Sequence, residues 1–233
     1  MGGAMHVPDG FLNMPTSAAT GLAAVAGVTL ALRGARRELD ERTTPLAGLV
    51  ATFVFSAQML NFPVAAGTSG HLLGGALAAV LVGPWTATLC LTVVLLVQAL
   101  LFADGGITAL GTNIVLMGLV GVWAGWWGFR LTRALLPRRT GGLVAASTVG
   151  AFVSVPVTAL AFVILFAWGG TVPVRLDVLA VAMVATHLLI GIGEAVITAA
   201  VVSAVVSVRP DLVFGARGLV AERRLLIRQG TRT

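Results

Sequence analysis

Two histidines stand where the chain interrupts long apolar stretches, and the groups beside them could bind a metal ion. His6 follows Met5, and His71 follows the small and polar run Gly67-Thr68-Ser69-Gly70. A free α-amine on Met5, the amide nitrogen of His6 and the Nδ1 of its ring would form a chelate with adjoining five- and six-membered rings. His71 could add a fourth nitrogen, and an approximately square-planar set of four nitrogens suits Ni(II) or Cu(II) and can hold Co(II).

Polar residues near the two histidines could orient them. Asp9 and Asn61 are candidate acceptors for the ring N–H groups, whose hydrogen bonds fix ring orientation in metal sites. A turn without metal fits the same residues, because Pro8-Asp9-Gly10 is an ordinary turn sequence and a single exposed histidine is usually solvated. The spacing alone leaves both interpretations open.

The elements that must position these residues are membrane-spanning helices. Hydrophobic residues make up 58% of the 233 residues and charged residues 10%, and the mean hydropathy is +0.99. Such a composition is not that of a water-soluble globule, and the apolar stretches are long enough to cross about 30 Å of hydrocarbon. We predict an all-α polytopic integral membrane protein with about seven transmembrane helices. They are expected at 15–33, 45–60, 70–83, 85–103, 108–136, 143–168 and 178–207.

The positive charges predict the orientation of these helices. The chain has no lysine, so its 15 basic residues are all arginines. With the N-terminus outside, they fall on the inner side at 33–42, 130–139 and 209–232, and only Arg175 lies outside. This asymmetry follows the positive-inside rule, so we predict an external N-terminus and a cytoplasmic C-terminus. Because the arginines flank segments in the lipid bilayer, a nucleic-acid partner is disfavoured.

We expect one domain. Residues 1–233 would form a single transmembrane metal-binding domain, with an N-terminal metal-capture segment at 5–14, a helical bundle at 15–207 and a cytoplasmic tail at 208–233. Cys90 is the one cysteine and lies within a predicted helix. It is expected to be a small apolar filler there, so neither a disulfide nor cysteine-metal chemistry is predicted.

Three motifs occur together in the predicted outer segments. They are Met5-His6-Val7-Pro8-Asp9-Gly10-Phe11-Leu12, the run Gln58-Met59-Leu60-Asn61-Phe62-Pro63-Val64 with Gly67-Thr68-Ser69-Gly70-His71, and Phe102-Ala103-Asp104-Gly105-Gly106 with Ala109-Leu110-Gly111 and Asn113. In combination they resemble the CbiM/NikM family, the substrate-binding membrane components of energy-coupling-factor transporters for cobalt and nickel. The resemblance spans nearly the whole chain.

The resemblance implies a substrate-capture component of an ATP-driven importer in a prokaryotic cell membrane, with Co2+ or Ni2+ as its transported substrate. It implies that the Met5 amine, the amide and ring of His6, and His71 bind the metal. Asn61 and the loop before His71, including Ser69, would support the site. The implied partners are a transmembrane coupling (T) protein and two cytoplasmic ATPases, and a small accessory membrane subunit is left open. Without lysine the chain has no phosphate loop ending in Gly-Lys-Ser/Thr, so we expect no ATP site and no enzymatic activity in it.

Two positions depart from the family pattern. Residues 1–4 precede Met5, and an internal Met5 would carry an amide in place of the free amine. We hypothesise that translation starts at Met5, because methionine before a bulky histidine is usually retained. Leu116 stands where the family pattern predicts an asparagine, which affects only the polar contact of the third motif.

Two other functions fit parts of the sequence. Gly67-Thr68-Ser69-Gly70 matches the pattern Gly-x-Ser-Gly, so an intramembrane serine protease could use Ser69 as nucleophile and His187 as base. A channel or scaffold without bound metal is the third alternative. His187 also lies seven residues before Glu194, on the same face of the last predicted helix. We expect these two side chains to form a polar pair that locks the bundle.

Overall fold

Helices dominate the structure, a computed structural model that describes residues 6–41, 43–59, 62–65 and 68–219, with 62–65 and 68–70 described by backbone alone. In chain order the elements are α1 (Met14–Ala35), α2 (Thr44–Gln58), β1 (Phe62–Ala65), β2 (Thr68–Gly70), α3 (Gly75–Val82), α4 (Pro84–Leu101), α5 (Leu110–Asn113), a π-helical stretch (Ile114–Gly121), α6 (Val122–Leu135), α7 (Thr140–Gly169) and α8 (Leu176–Val208). Two 3-10 turns, Pro210–Leu212 and Phe214–Ala216, follow α8.

Long apolar helices confirm the predicted all-α membrane fold. Within the described residues, five helices are long and apolar enough to cross a membrane: Met14–Ala35, Pro84–Leu101, Leu110–Leu135, Thr140–Gly169 and Leu176–Val208. The span Leu110–Leu135 joins α5, the π-helical stretch and α6 into one continuous helix. α2 is apolar but shorter, with 15 residues. The total number of crossings and the side of each terminus remain predictions.

The third predicted helix, 70–83, is only partly a helix. β1 and β2 form an antiparallel hairpin in which Phe62 pairs with Gly70. Residues 71–74 have no regular structure, and the helix begins at Gly75. The eight residues of α3 extend about 12 Å, which is less than half of the hydrocarbon thickness of about 30 Å. Hydropathy alone did not place the helix start, because Leu72 and Leu73 continue into the apolar run of the helix that follows them.

α3 is enclosed by the other helices. All eight of its residues are buried, and Leu77 and Val80 belong to one apolar cluster with Leu91 of α4, Val122 of α6 and Val202 of α8. A broken span is tolerated in a membrane only where protein surrounds the freed backbone groups. The position of α3 satisfies this requirement.

A buried carboxylate closes one end of the bundle. The Glu38 carboxylate, between α1 and α2, accepts the backbone N–H groups of Trp85 at 3.2 Å and Thr86 at 2.7 Å, and so caps α4. The guanidinium of Arg217 donates to the Glu38 carbonyl oxygen at 2.7 Å, which fastens the segment after α8 to the same end. Burial raises the pKa of the Glu38 carboxyl, against the opposing effect of these N–H groups.

His187 and Glu194 do not form the predicted pair. The His187 Nδ1 donates to the carbonyl oxygen of Met183, one turn earlier in α8, at 2.7 Å. The Glu194 carboxylate instead accepts the backbone N–H groups of Leu73 and Gly74. His187 and Glu194 lie two turns apart on α8, and the Glu194 carboxylate is occupied by N–H groups at the start of α3 that have no partner within their own helix.

Candidate metal site

The N-terminal segment, residues 6–13, lies across the end of the bundle opposite Glu38. The Asn13 N–H donates to the carbonyl oxygen of Gly169 at 2.7 Å, and the Thr171 N–H donates to the carbonyl oxygen of Phe11 at 3.1 Å. The Asn13 side chain also accepts the Thr16 N–H at 3.0 Å and so caps α1. These bonds join the start of the chain to the connection between α7 and α8.

A single amide side chain fixes the backbone directly after His6. The Asn113 Oδ1 accepts the Val7 N–H at 3.0 Å, and its Nδ2 donates to the Val7 carbonyl oxygen at 3.2 Å. The Gly106 N–H donates to the same carbonyl at 3.0 Å. Asn113 therefore pairs with Val7 as a neighbouring strand would, and this pairing sets the position of His6.

The His6 ring is buried against the loop at 104–106. The residue is 6% exposed, and its Nδ1 lies 3.1 Å from the Asp104 Oδ2. That carboxylate is the ion-pair partner of Nδ1, whereas Nε2 has no hydrogen-bond partner among the described residues. Gly105 has φ +90, and a Cβ on it would lie 2.9 Å from the His6 Cβ, so only glycine allows the loop to approach this closely. Buried ring nitrogens without hydrogen bonds are costly unless they bind a ligand.

His71 lies beside His6, although 64 intervening residues separate them in the chain. The two ring centroids are 4.8 Å apart with an interplanar angle of 61°, and His71 is 8% exposed. Its Nδ1 lies 2.9 Å from the Leu72 carbonyl oxygen. Because a carbonyl can only accept, Nδ1 carries the proton in this hydrogen bond.

Asp9 fastens the N-terminal segment to the same loop. Its carboxylate accepts the Thr108 N–H at 2.7 Å and also the Thr108 hydroxyl. The hydroxyl bond is the main reason that the pKa of Asp9 lies below its ordinary value. Asp9 thus holds the chain over His6, and a direct role in orienting either ring stays a prediction.

Three of the predicted site residues lie beyond what the structure describes. Met5 and Asn61 are outside the described residues, and Ser69 is described by its backbone in β2 but not by its side chain. Among the described residues, no group of three or more His, Cys, Asp or Glu side chains could hold a metal ion. A site built as predicted would not form such a group, because two of its four nitrogens come from the backbone of Met5 and His6.

Sequence reasoning assigned no role to Asp104 and Asn113, although both lie in the third motif. The contacts of both residues with the segment at His6 and Val7 depend on the long-range fold. Their position at the end of a predicted span indicates that both side chains have partners, because unpaired polar side chains are costly there.

Long apolar helices, together with two buried histidines beneath the N-terminal segment, define a multi-pass membrane protein with a candidate metal site at one end. The family model CbiM, described as the cobalt uptake substrate-specific transmembrane region, matches residues 6–212. The chain therefore belongs to the CbiM family.

Relatives and solved structures agree with this family. The chain is 35% identical to the cobalt transport protein CbiM of Sorangium cellulosum, over 89% of this chain and 94% of that protein. It is 37% identical to the fused nickel transport protein NikMN of Rhodobacter capsulatus, over 95% of this chain and 67% of the relative. A crystal structure of a truncated transition metal transporter superimposes with a TM-score of 0.80 at 35% identity, covering 87% of this chain and 99% of that one.

The protein is thus a substrate-binding membrane component for cobalt or nickel uptake, and the metal is its substrate. It is a multi-pass protein of a prokaryotic membrane and works with other transport components. The comparisons give no support to the intramembrane protease with Ser69 and His187.

Proposed function

We propose that the transported Co2+ or Ni2+ binds to the Met5 amine, the amide and Nδ1 of His6, and the His71 ring. The observation that carries this proposal is the pair of buried imidazoles 4.8 Å apart. The His6 Nδ1 faces the Asp104 carboxylate, and its Nε2 has no hydrogen-bond partner among the described residues. Two histidines far apart in sequence are brought together, and Met5 directly precedes one of them in the chain. This arrangement supports capture of a metal by four nitrogens.

Charge balance also supports the site. A divalent cation is costly to bury unless nearby negative charge compensates it. A deprotonated His6 amide and the Asp104 carboxylate would together balance the charge of Co2+ or Ni2+. The Asp104 Oδ2, 3.1 Å from the His6 Nδ1, lies close enough to serve in this way.

Asn61 and Ser69 complete the proposal as supports of the His71 side of the site. Asn61 directly precedes β1 in the chain, and Ser69 lies in β2, which ends one residue before His71. Asp9 supports the opposite side, through its bonds to Thr108.

Metal content tests the site directly. Detergent-purified protein is exposed to Ni2+ or Co2+, desalted and analysed by mass spectrometry, with His6→Ala, His71→Ala and the control His187→Ala. Both site variants should lose the metal that the wild type retains. His187→Ala should retain it, because His187 bonds only to its own helix among the described contacts. Full metal retention by His6→Ala or His71→Ala would refute the proposed ligand set.

The chain start is tested in the same assay. Protein that begins at Met5 should retain stoichiometric metal, whereas protein that begins at Met1 should retain less, because an amide nitrogen at Met5 is a poorer ligand than a free amine. Equal retention by both forms would exclude the Met5 amine as a ligand.

We further propose that a transmembrane T protein and two cytoplasmic ATPases drive release of the metal inward, and that this chain has no catalytic activity of its own. The absence of lysine, and with it of a Gly-Lys-Ser/Thr loop, supports an external energy source. Uptake in proteoliposomes should require all of these partners and ATP, and ATP hydrolysis by this chain alone would contradict the proposal.

A further inference from the structure

The segment at 71–74 carries His71 and leads into α3. Its backbone N–H groups lie at the start of a helix, where they have no partner within that helix. The Glu194 Oε2 accepts the Leu73 N–H at 2.9 Å, and the Glu194 Oε1 accepts the Gly74 N–H at 2.7 Å. A side chain from α8 thus provides the cap that Gly74, which has no side chain, cannot provide.

The other side of the same peptide is also held. The Gln58 Nε2 donates to the Leu73 carbonyl oxygen at 2.8 Å, and the Gln98 Nε2 donates to the Gln58 Oε1 at 3.0 Å. Both glutamine side chains are fully buried. Leu73 is therefore bound through its N–H by α8 and through its carbonyl by α2, which leaves the backbone beside His71 little freedom.

Burial of the Glu194 carboxylate costs more desolvation free energy than a purely structural cap requires. Glu194 is 2% exposed and lies near the middle of α8, where burial of a carboxylate in a membrane protein carries a large desolvation cost. Each of its oxygens accepts one N–H, and the positive end of the α3 dipole faces it. A neutral residue could fill the same space without the desolvation cost. Glu194 differs from such a residue because its carboxylate accepts two strong hydrogen bonds.

We propose that Glu194 is a positioning residue for the metal site, which holds residues 71–74 so that the His71 ring faces His6. This inference rests on the proposed role of His71 as a metal ligand. The carboxylate does not touch the metal. It acts through the backbone of Leu73, two residues after His71. Glu194 binds the Leu73 N–H, and the Gln58 side chain binds the Leu73 carbonyl oxygen.

The variant Glu194→Gln tests this role. Glutamine keeps one acceptor, its amide oxygen, but its NH2 group cannot accept a hydrogen bond, so one of the two backbone N–H groups loses its partner. Titration of the folded protein with Ni2+ alone should show a Kd increased by about tenfold, a common effect of losing a group that orients a metal ligand. The absorption bands of bound Ni2+ should shift as the His71 ring moves. A cap that served stability alone would lower the melting temperature of the metal-free protein and leave both the Kd and the bands unchanged, which would overturn the proposal.

Thr198→Val is the matched control. Thr198 lies one turn after Glu194 on α8, is 1% exposed, and its hydroxyl has no hydrogen-bond partner among the described residues. Its replacement should leave Ni2+ affinity unchanged. If Glu194→Gln does not fold, Glu194→Asp decides, because it keeps both acceptor oxygens but is shorter by one methylene. Wild-type affinity in the aspartate variant would then overturn the proposal.

His71→Ala separates this inference from the proposed function. If His71→Ala abolishes Ni2+ binding while Glu194→Gln retains wild-type affinity, only the positioning role is wrong. If His71→Ala retains wild-type binding, His71 is not a ligand and the proposed site itself fails.

Discussion

At the scale of single residues, the candidate site depends on groups that position the two histidines. Asn113 holds Val7 through both its N–H and its carbonyl oxygen, and Gly105 lets the loop approach His6. Such contacts fix the backbone that carries His6, and the loss of a group that orients a metal ligand typically lowers metal affinity by about 10- to 100-fold.

Gly105→Ala should weaken metal binding by displacing His6. The added Cβ would lie 2.9 Å from the His6 Cβ, and φ is +90 at this position. Backbone strain of about 1–2 kcal/mol is expected for a non-glycine residue at positive φ, together with a loss of Ni2+ affinity of about tenfold. Isothermal titration of the folded variant measures the second effect.

Gly10→Ala is the control for Gly105→Ala. Gly10 has φ +75, but a Cβ there would meet nothing within 4 Å. It should therefore share the loss of stability and retain wild-type affinity. Equal affinity in both variants would show that the contact with His6 is unimportant for binding.

At the scale of elements, two helices begin at carboxylates supplied from elsewhere in the chain. Glu38 caps α4 at one end of the bundle, and Glu194 caps α3 near the middle of α8. Gly83 and Gly74, directly before the first residues of these helices, have no side chain and positive φ. A Cβ on Gly83 would collide with the Glu38 carboxylate, and one on Gly74 would collide with Val54, so both helix starts require glycine and take their caps from distant carboxylates.

Glu38 predicts a specific pH dependence of stability. Because burial raises its pKa in the folded state, folding favours the protonated carboxyl, and this contribution to stability is complete below the ordinary pKa of 4.5. The contribution is lost as the pH rises through the folded-state pKa. The melting temperature of Glu38→Gln should therefore fall less than that of the wild type as the pH rises above 4.5.

Glu41→Gln is the matched comparison, since Glu41 is exposed in the same connection between α1 and α2. Its melting temperature should follow that of the wild type across the same pH range. An identical pH profile in Glu38→Gln would show that the buried carboxyl does not contribute to the dependence.

At the scale of the whole molecule, the N-terminal segment and the segment after α8 lie at opposite ends of the bundle. The first contacts Gly169 and Thr171 beside α7 and α8, and the second contacts Glu38. Opposite ends fit the odd number of crossings in the predicted topology. That topology predicts that the candidate site and the segment directly after α8 lie on different sides of the membrane.

Thiol labelling tests this orientation. In a Cys90→Ala background, Val174→Cys lies between α7 and α8 and Glu41→Cys lies between α1 and α2, and both positions are exposed. A membrane-impermeant maleimide applied to intact cells should label the cysteine at 174 and reach the one at 41 only after lysis. The reverse pattern would overturn the predicted topology.

Composition and the lengths of the apolar stretches were enough to predict the class of the protein and most of its helices. Apolar stretches long enough to span a bilayer need no tertiary information, because each helix satisfies its own backbone hydrogen bonds. The motif around His6 and the one that ends at His71 also indicated the family that the comparison established.

The build of the third span and the surroundings of the histidines depend on long-range contacts, so they could be learned only from the folded structure. The hairpin, the irregular residues 71–74 and the short α3 depend on Glu194 and Gln58, whose partners lie up to 121 residues away. The proximity of His6 to His71 and Asp104 likewise depends on contacts between distant segments. Local periodicity cannot encode such pairings, because each one forms only after the helices pack and bury both partners together.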